Sequence, residues 1–487
     1  MSRHEKMLAL IFLLTLPLIN PWVRGDGVGY YAYARSLLIE HRLDFEKDWL
    51  TANASFRMAK LNEQGRLRPE AYTRTGHLDN HFTVGPAILW APFLIAAHLG
   101  VVLIDALGGH IPANGFSGPY VTAMAIGTAA YGFLGLLISY RLARKYFEER
   151  WAFLATLGIW FASSLPVYMY FNPSWSHAHS VFTVALFVYY WDRTRGSRTT
   201  LQWIALGLCA GLMIDVYYPN FVFLVLPGIE SLAAYRRALR APEGDASSAR
   251  GISSGNILFG LAALAAFLPT IITRKTIYGS YLNFGDYRGA PWSWTAPAHW
   301  KVLFSSDHGL VSWTPILGFA LLGLFLWLKS NQIIATYLIA AGFAFYYLIA
   351  CYPDWDGLSS FGSRFFVSLT PIFVVGLAAF FTEWARSWKS TVVRATASTL
   401  TALFILWNLA FMFQWGTHMI PVRGPISFRD LAYNQVFVVP ARVSDSLKEY
   451  FTRRKSLMND IEQRDMKQLR GQLSKQSDPR SKESDMQ

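Results

Sequence analysis

Long apolar runs alternate with short polar segments along almost the whole chain. Runs of roughly 15–25 mostly apolar residues, long enough to span a hydrocarbon core as helices, occupy 7–23, 84–106, 119–142, 151–170, 178–191, 201–216, 218–234, 255–275, 309–328, 332–351, 365–384 and 391–414. This pattern predicts an all-α polytopic membrane protein. The first run follows Arg3 and Lys6 like a signal peptide. No small-x-small cleavage site follows it, so it reads as an uncleaved first membrane helix.

The connecting segments are of two kinds. Arg141–Arg150, Trp191–Thr200, Tyr235–Arg250, Lys329–Asn331 and Arg386–Lys389 are basic, whereas Asn172–His179, Asp215–Asn220, Tyr278–His308 and Tyr352–Arg364 are aromatic and polar. From Arg141 onward the two kinds alternate, which predicts that the basic set is cytoplasmic and the aromatic set exoplasmic. The basic N-terminus then puts residues 24–83 outside, as a first exoplasmic loop. For Arg141–Arg150 to be inside, one of the runs 84–106 and 119–142 must not cross. The first of these contains Pro86, Pro92 and His98, so an interfacial or re-entrant segment is expected there, leaving about eleven crossings. Parity puts the C-terminus outside, although the Lys- and Arg-rich tail beyond Lys448 pulls the other way. Residues 1–414 read as the membrane domain and 415–487 as a polar tail. Met458, Ile461, Leu469 and Leu473 offer the tail only a weak helical stripe, so a solvated helix fraying into disorder is expected.

Composition agrees. The chain of 487 residues is 53% hydrophobic and only 15% charged, against about 25% charged in soluble proteins. Its net charge of +13 is carried in the short loops and the tail, a distribution suited to anionic lipid. No folded basic domain suggests a nucleic-acid partner. The two cysteines, Cys209 and Cys351, make no disulfide framework.

The chemistry-bearing residues gather in the aromatic segments. Gly25-Asp26-Gly27 allows a sharp turn after the first helix, and 28–41 reads as a surface-lying amphipathic helix carrying Tyr30, with a second over 49–64. Asp26 is open to two readings: an N-cap, or a general base facing a cleft. Asn172–His179 carries His177 and His179. At a loop or helix start both could reach one metal or phosphate; on a continuous helix they diverge by about 200°; plain loop polarity is the third reading. Tyr278–Pro315 holds Tyr281, Tyr287, Trp292, Trp294, Lys301, His308 and Trp313, which suits either sugar stacking or an aromatic belt. In Tyr352–Arg364, Asp354 and Asp356 form a D-x-D pair of cation-site type. Arg364 stands where it could hold a phosphate or a lipid headgroup.

With these groups in place the sequence resembles the GT-C superfamily of integral membrane glycosyltransferases, in its O-mannosyltransferase and aminoarabinose-transferase branch. The resemblance is carried by GDGVGYY at 25–31, NHFTVGPAILWAPF at 80–93, SHAHSVF at 176–182, LFSSDHGLVSWTP at 303–315 and SSFGSRFFVSLTP at 359–371. It implies a bacterial-type inner (plasma) membrane enzyme with an exoplasmic active site. A sugar would pass with inversion from a polyprenyl-phosphate donor to a protein hydroxyl, lipid or polysaccharide, with Asp26 as base or acceptor-positioning group. Arg364, His177, His179, Tyr30, Lys301, His308, Asp354 and Asp356 are the candidate substrate-binding residues, and His177 and His179 the candidate ligands if a divalent metal is used. The chain departs from the family in having Gly27 beside the first acid, where an acidic partner is common, and histidines where a second acid is frequent. The alternative is a transporter or flippase of lipid-linked saccharides. It would place ionisable groups near mid-membrane, where Asp215 is the one candidate.

Overall fold

The computed structural model describes residues 1–62, 64–240, 246–283 and 291–476. Its helices run in order: α1 (Arg3–Thr15), α2 (Asp26–Arg35), α3 (Glu46–Thr51), α4 (Ala54–Lys60), α5 (Gly85–Ala106), α6 (Gly118–Ala143), α7 (Glu149–Phe161), α8 (His177–Thr194), α9 (Thr200–Val216) and α10 (Val225–Arg240). Then come α11 (Ala246–Tyr278), α12 (His299–Phe304), α13 (Leu310–Trp313), α14 (Ile316–Trp327), α15 (Gln332–Cys351), α16 (Thr370–Ser387), α17 (Ser390–Gly416), α18 (Phe428–Tyr433), α19 (Val439–Thr452) and α20 (Arg454–Gln476). Among the described residues there is no named strand, so the all-α membrane fold stands. Six helical segments are long and apolar enough to cross a membrane: α5, α6, 250–278 of α11, α15, 364–387 and 391–416 of α17. The protein is an integral membrane protein.

Contacts define two faces. At one, the start of α1 meets the end of α6. Arg141 Nε donates to Glu5 Oε1 at 2.7 Å and Ser2 Oγ lies 3.4 Å from the Tyr140 hydroxyl. Lys145 extends this face to Asp192 at the end of α8, at 2.6 Å. The opposite face holds Asp26, the end of α9 and the end of α11. There Arg274 Nη2 donates to the Tyr33 hydroxyl at 2.6 Å and to Phe82 O at 2.7 Å.

Three expectations are corrected in form. Residues 85–106, expected as an interfacial or re-entrant segment, make one unbroken helix of 22 residues through Pro92. Trp90 Nε1 donates to Thr128 at 2.8 Å and His98 Nδ1 lies 2.6 Å from the Tyr120 hydroxyl, so α5 runs antiparallel to α6. It begins on the Asp26 side, where Thr83 donates to Val216 O and the Val84 amide donates to Thr270 Oγ1, both at 3.0 Å. Since α6 descends to the α1 face, α5 cannot also descend to it. The run 84–106 is thus a regular helix that does not return to the face carrying Arg141.

Second, α2 is not surface-lying. Every residue from Gly27 to Arg35 is buried. The tyrosine hydroxyls, which the sequence assigned to headgroups, are satisfied inside: Tyr31 donates to Gly115 O at 2.7 Å and Tyr33 to Asn80 O at 2.8 Å. The second expected helix, 49–64, is broken at Asn53 into α3 and α4.

Third, the tail is largely helical through residue 476 and does not stand free, although one side of it remains exposed. It packs on the Asp26 face. Tyr450 donates to Leu18 O at 2.7 Å and Arg454 Nη1 to Ile19 O at 2.6 Å. Met458 and Ile461 turn inward to a cavity; the side chains of Leu469 and Leu473 lie outside the described set. The end of α7 is also shaped for this cavity. Its helix stops at Phe161 and resumes only at Val167. Asn408 Nδ2 caps the interruption by donating to Phe161 O and Ser163 O at 2.9 and 2.8 Å, satisfying carbonyls that hydrocarbon could not.

Candidate functional site

The loop after α1 must turn sharply before α2, and Gly25 does this with φ +54°. Its amide donates to Asn53 Oδ1 at 3.2 Å. Asp26 is the first residue of α2, and no side chain caps that helix. The N-cap reading of Asp26 therefore fails. Its carboxylate instead accepts from Arg364 Nη1 at 2.6 Å, across 338 residues of sequence.

Arg364 opens the segment leading into α16. Its guanidinium lies 4.6 Å from the centre of the Trp175 ring, and Trp175 Nε1 donates to Arg24 O at 2.9 Å. The turn before α2 and the loop before α8 are thus tied together around one arginine. Within the pair, Arg364 is 11% exposed and Asp26 39%, so the carboxylate is the accessible partner. Arg364 Nε is buried without a hydrogen-bond partner, a cationic donor left unused.

Both residues line a cavity of about 2140 Å³. His177 lines it too, enclosed by the Tyr168, Trp175 and Tyr217 rings at 4.8–6.0 Å. His179 does not. Both histidines stand on α8, so they diverge as a continuous helix requires. His179 faces Trp90 and Tyr131 at 5.0 and 5.6 Å, so of the readings open in the sequence the divergent, helical one holds and the two do not reach one ligand. Tyr30 reaches the cavity wall, its hydroxyl accepting from Ser176 Oγ at 3.0 Å. Asp354 and Asp356 line the cavity, as does Trp292, which stacks on exposed Trp294 at 5.2 Å. Lys301 is exposed on α12 and is not part of the wall. Tyr281 is exposed and Trp313 buried; Tyr287 lies outside the described residues. Asp215 is buried at the end of α9, behind Gly85, and does not line the cavity.

Asp356 groups with Asp307 and His308, whose ligand atoms lie within 4.8 Å of one another. Burial, helped by the like charge of Asp356, pushes the Asp307 carboxyl up to about 6. Burial pushes the fully enclosed His308 imidazole down to about 4. Sequence reasoning quoted Asp307 inside LFSSDHGL without assigning it a role; its signal was the acid–histidine dipeptide in an aromatic loop.

The tail supplies the last wall. Arg24 is clamped by Asp465 and lies 3.8 Å from Glu462. His418 Nε2 lies 2.7 Å from Asp465 Oδ1, and Glu462 accepts from Asn53 Nδ2 at 2.9 Å. Burial favours a neutral Asp465, but His418 and Arg24 outweigh it and hold the carboxyl below its usual range. Nothing in the alternating charges of this segment signalled the docking.

Gly27 has a steric reason. A Cβ there would meet Ser174 Oγ at 1.9 Å and its Cβ at 2.4 Å. No acidic partner fits beside Asp26 in this backbone, so the departure seen in sequence is built into the packing of α2 on the loop before α8.

Residues 116–245 match a family profile described as dolichyl-phosphate-mannose-protein mannosyltransferase. No curated protein matches the sequence. Two solved structures are similar. One is ArnT from Cupriavidus metallidurans in the apo state, 14% identical over 88% of this chain and 73% of that chain, with a TM-score of 0.48. The other is the archaeal oligosaccharyltransferase AglB from Archaeoglobus fulgidus in complex with an inhibitory peptide and a dolichol-phosphate, 12% identical, TM-score 0.45. The match to AglB covers 91% of this chain but only 55% of that chain.

Proposed function

We propose that this protein is an inverting glycosyltransferase that takes a sugar from a polyprenyl-phosphate donor on the exoplasmic side of a bacterial-type inner membrane. The observation that carries the reading is the Asp26–Arg364 pair at the cavity wall: an accessible carboxylate bonded to a buried guanidinium that keeps one donor unused. The family match over 116–245 supports the same class.

The pair suggests an order of events. A donor phosphate entering beside Arg364 takes up Nε and competes for Nη1, as a phosphate suits a guanidinium fork. Asp26 is then released to accept the proton of an acceptor hydroxyl or amine as that atom attacks the anomeric carbon. The sugar–phosphate bond breaks on the opposite side, and polyprenyl phosphate leaves with its charge on Arg364. A single displacement inverts the anomeric centre. The wall has the two characters such a donor needs: Trp175, His177 and Tyr217 near the charged pair, and Phe267, Leu348 and Ile349 on the membrane helices α11 and α15, with Phe221 in the turn between α9 and α10. Phe221 is 49% exposed, so this apolar side reaches the surface that faces lipid.

The test uses purified protein in lipid nanodiscs with a panel of radiolabelled polyprenyl-phosphate sugars. Release of polyprenyl phosphate with at least one of them, dependent on Arg364, is expected. Bidirectional passage of a lipid-linked sugar across the bilayer without release would establish the flippase reading instead.

A further inference from the structure

We propose that Asp307, His308 and Asp356 form a binding site for one divalent cation of the manganese or zinc class, in the wall of the same cavity but apart from Asp26. The three residues come from two loops. Asp307 and His308 lie between α12 and α13, and Asp356 lies in the loop after α15. Their ligand atoms fall within 4.8 Å of one another. His308 Nδ1 is 3.6 Å from Asp307 Oδ1 and 2.7 Å from the Asp356 main-chain oxygen.

Burial is the second and independent sign. The His308 side chain is 0% exposed, and its Nε2 is without a hydrogen-bond partner. Asp307 Oδ1 is likewise buried and unpartnered. Burying polar atoms without partners is costly, and two carboxylates held together repel. One cation relieves both penalties at once. Two carboxylates and an imidazole, whose Nδ1 donates to the Asp356 main-chain oxygen and leaves Nε2 free to ligate, make an oxygen-rich set with one nitrogen, which suits Mn²⁺ or Zn²⁺ better than a thiolate-seeking metal. Ligands about 2.1 Å from an ion lie roughly 3–4 Å apart, so binding draws the triangle inward by about 1 Å.

Position gives the site a use. A Cβ on Gly357, the residue after Asp356, would lie 3.3 Å from Arg364 Nε. The cation and the Arg364 guanidinium therefore flank the same volume, where a substrate phosphate would meet both. This last step rests on the transferase reading, and the metal site itself does not.

The experiment measures the metal alone. Protein in nanodiscs is stripped with chelator, titrated with Mn²⁺ or Zn²⁺, and assayed for bound ion, with nitrogen coupling to Mn²⁺ read by pulsed electron paramagnetic resonance. We expect one saturable ion per chain, with coupling to a histidine nitrogen. His308→Gln should abolish the coupling, and His308→Gln or Asp356→Asn should weaken binding at least tenfold. Asp354→Asn, outside the triad, should bind like wild type and shows that a neighbouring charge change is not enough. Asp307→Asn provides a second reading if Asp356→Asn fails to assemble. Absence of saturable binding, or wild-type affinity in the triad variants, overturns the site. Failure of the transferase reading looks different: metal binding intact and no polyprenyl phosphate released.

Discussion

Asp26→Asn separates chemistry from architecture in this protein, because the carboxylate makes one side-chain bond and caps nothing. Asparagine keeps an oxygen that can accept from Arg364 Nη1, now 2.6 Å from Asp26 Oδ2, while losing the negative charge and the basicity. Asp26 is 39% exposed, so the ion pair is worth about 0–1 kcal/mol. Residual pairing with the amide and the Trp175 face keeps Arg364 from being stranded. Membrane insertion, detergent stability and donor binding should therefore stay near wild type. Loss of a general base costs about 10²–10⁴-fold in rate. The assay is polyprenyl phosphate release at saturating donor, with donor binding measured separately on the same preparation. A variant retaining more than about a third of the wild-type rate refutes Asp26 as the base, since no proton acceptor with so small a contribution would be doing that task. A variant that fails to assemble refutes the structural half, namely that α2 does not depend on this carboxylate.

Other outcomes follow from the same geometry. Arg364→Gln removes a charged donor worth about 1.5–3 kcal/mol, so donor affinity should fall at least tenfold, read as a KM or Kd change; unchanged affinity would remove the phosphate role. Gly27→Ala forces a Cβ to within 1.9 Å of Ser174 Oγ and should displace α2. A shift of about 1 Å at a reacting group costs roughly 10²-fold, so activity should drop far more than expression, and wild-type turnover would show that the contact relaxes freely. For Asp465 the folded carboxyl titrates below its unfolded value of about 3.9, so its clamp stabilises the docked tail above that pH and is lost as pH falls further. Hydrogen exchange in α20 should rise below about pH 4, and an Asp465→Asn protein should lack that acid step. Finally, single cysteines placed at Glu70 and at Glu148, both exposed, should react with impermeant reagent from opposite sides of the membrane; labelling from one side would break the assignment of faces.

The apolar runs were legible because a helix that spans lipid must be apolar over its whole length, and every run quoted from the sequence is helical over most of its length. The faces were legible because basic loops cluster for an electrostatic reason. The Asp26–Arg364 pair was legible only as two residues of suitable type, because a contact across 338 residues leaves no periodicity to read. Whether His177 and His179 act together stayed open in the sequence because it turns on where α8 begins, and its start at His177 sends them apart. The burial of α2 escaped notice because tyrosine suits an interface and a core alike, and only the partners of its hydroxyl distinguish them. The docked tail escaped for a related reason: its charges answer single groups on α4, on the loop before α2 and after α17, and not a stripe of their own.

That docking bears on how the protein comes to exist. The cavity is walled by Trp22 and Arg24 near the start of the chain and by Arg464 and Asp465 near its end. A ribosome making the chain from the N-terminus delivers Asp26 early and its enclosure last. Through most of synthesis the pocket stands open on one side, and a messenger truncated after α17 would yield an inserted bundle with the Asp26–Arg364 machinery present but unsealed. Docking of α20 is thus the step that closes the vessel, and a cell could distinguish sealed from unsealed copies by whether that helix has found its place.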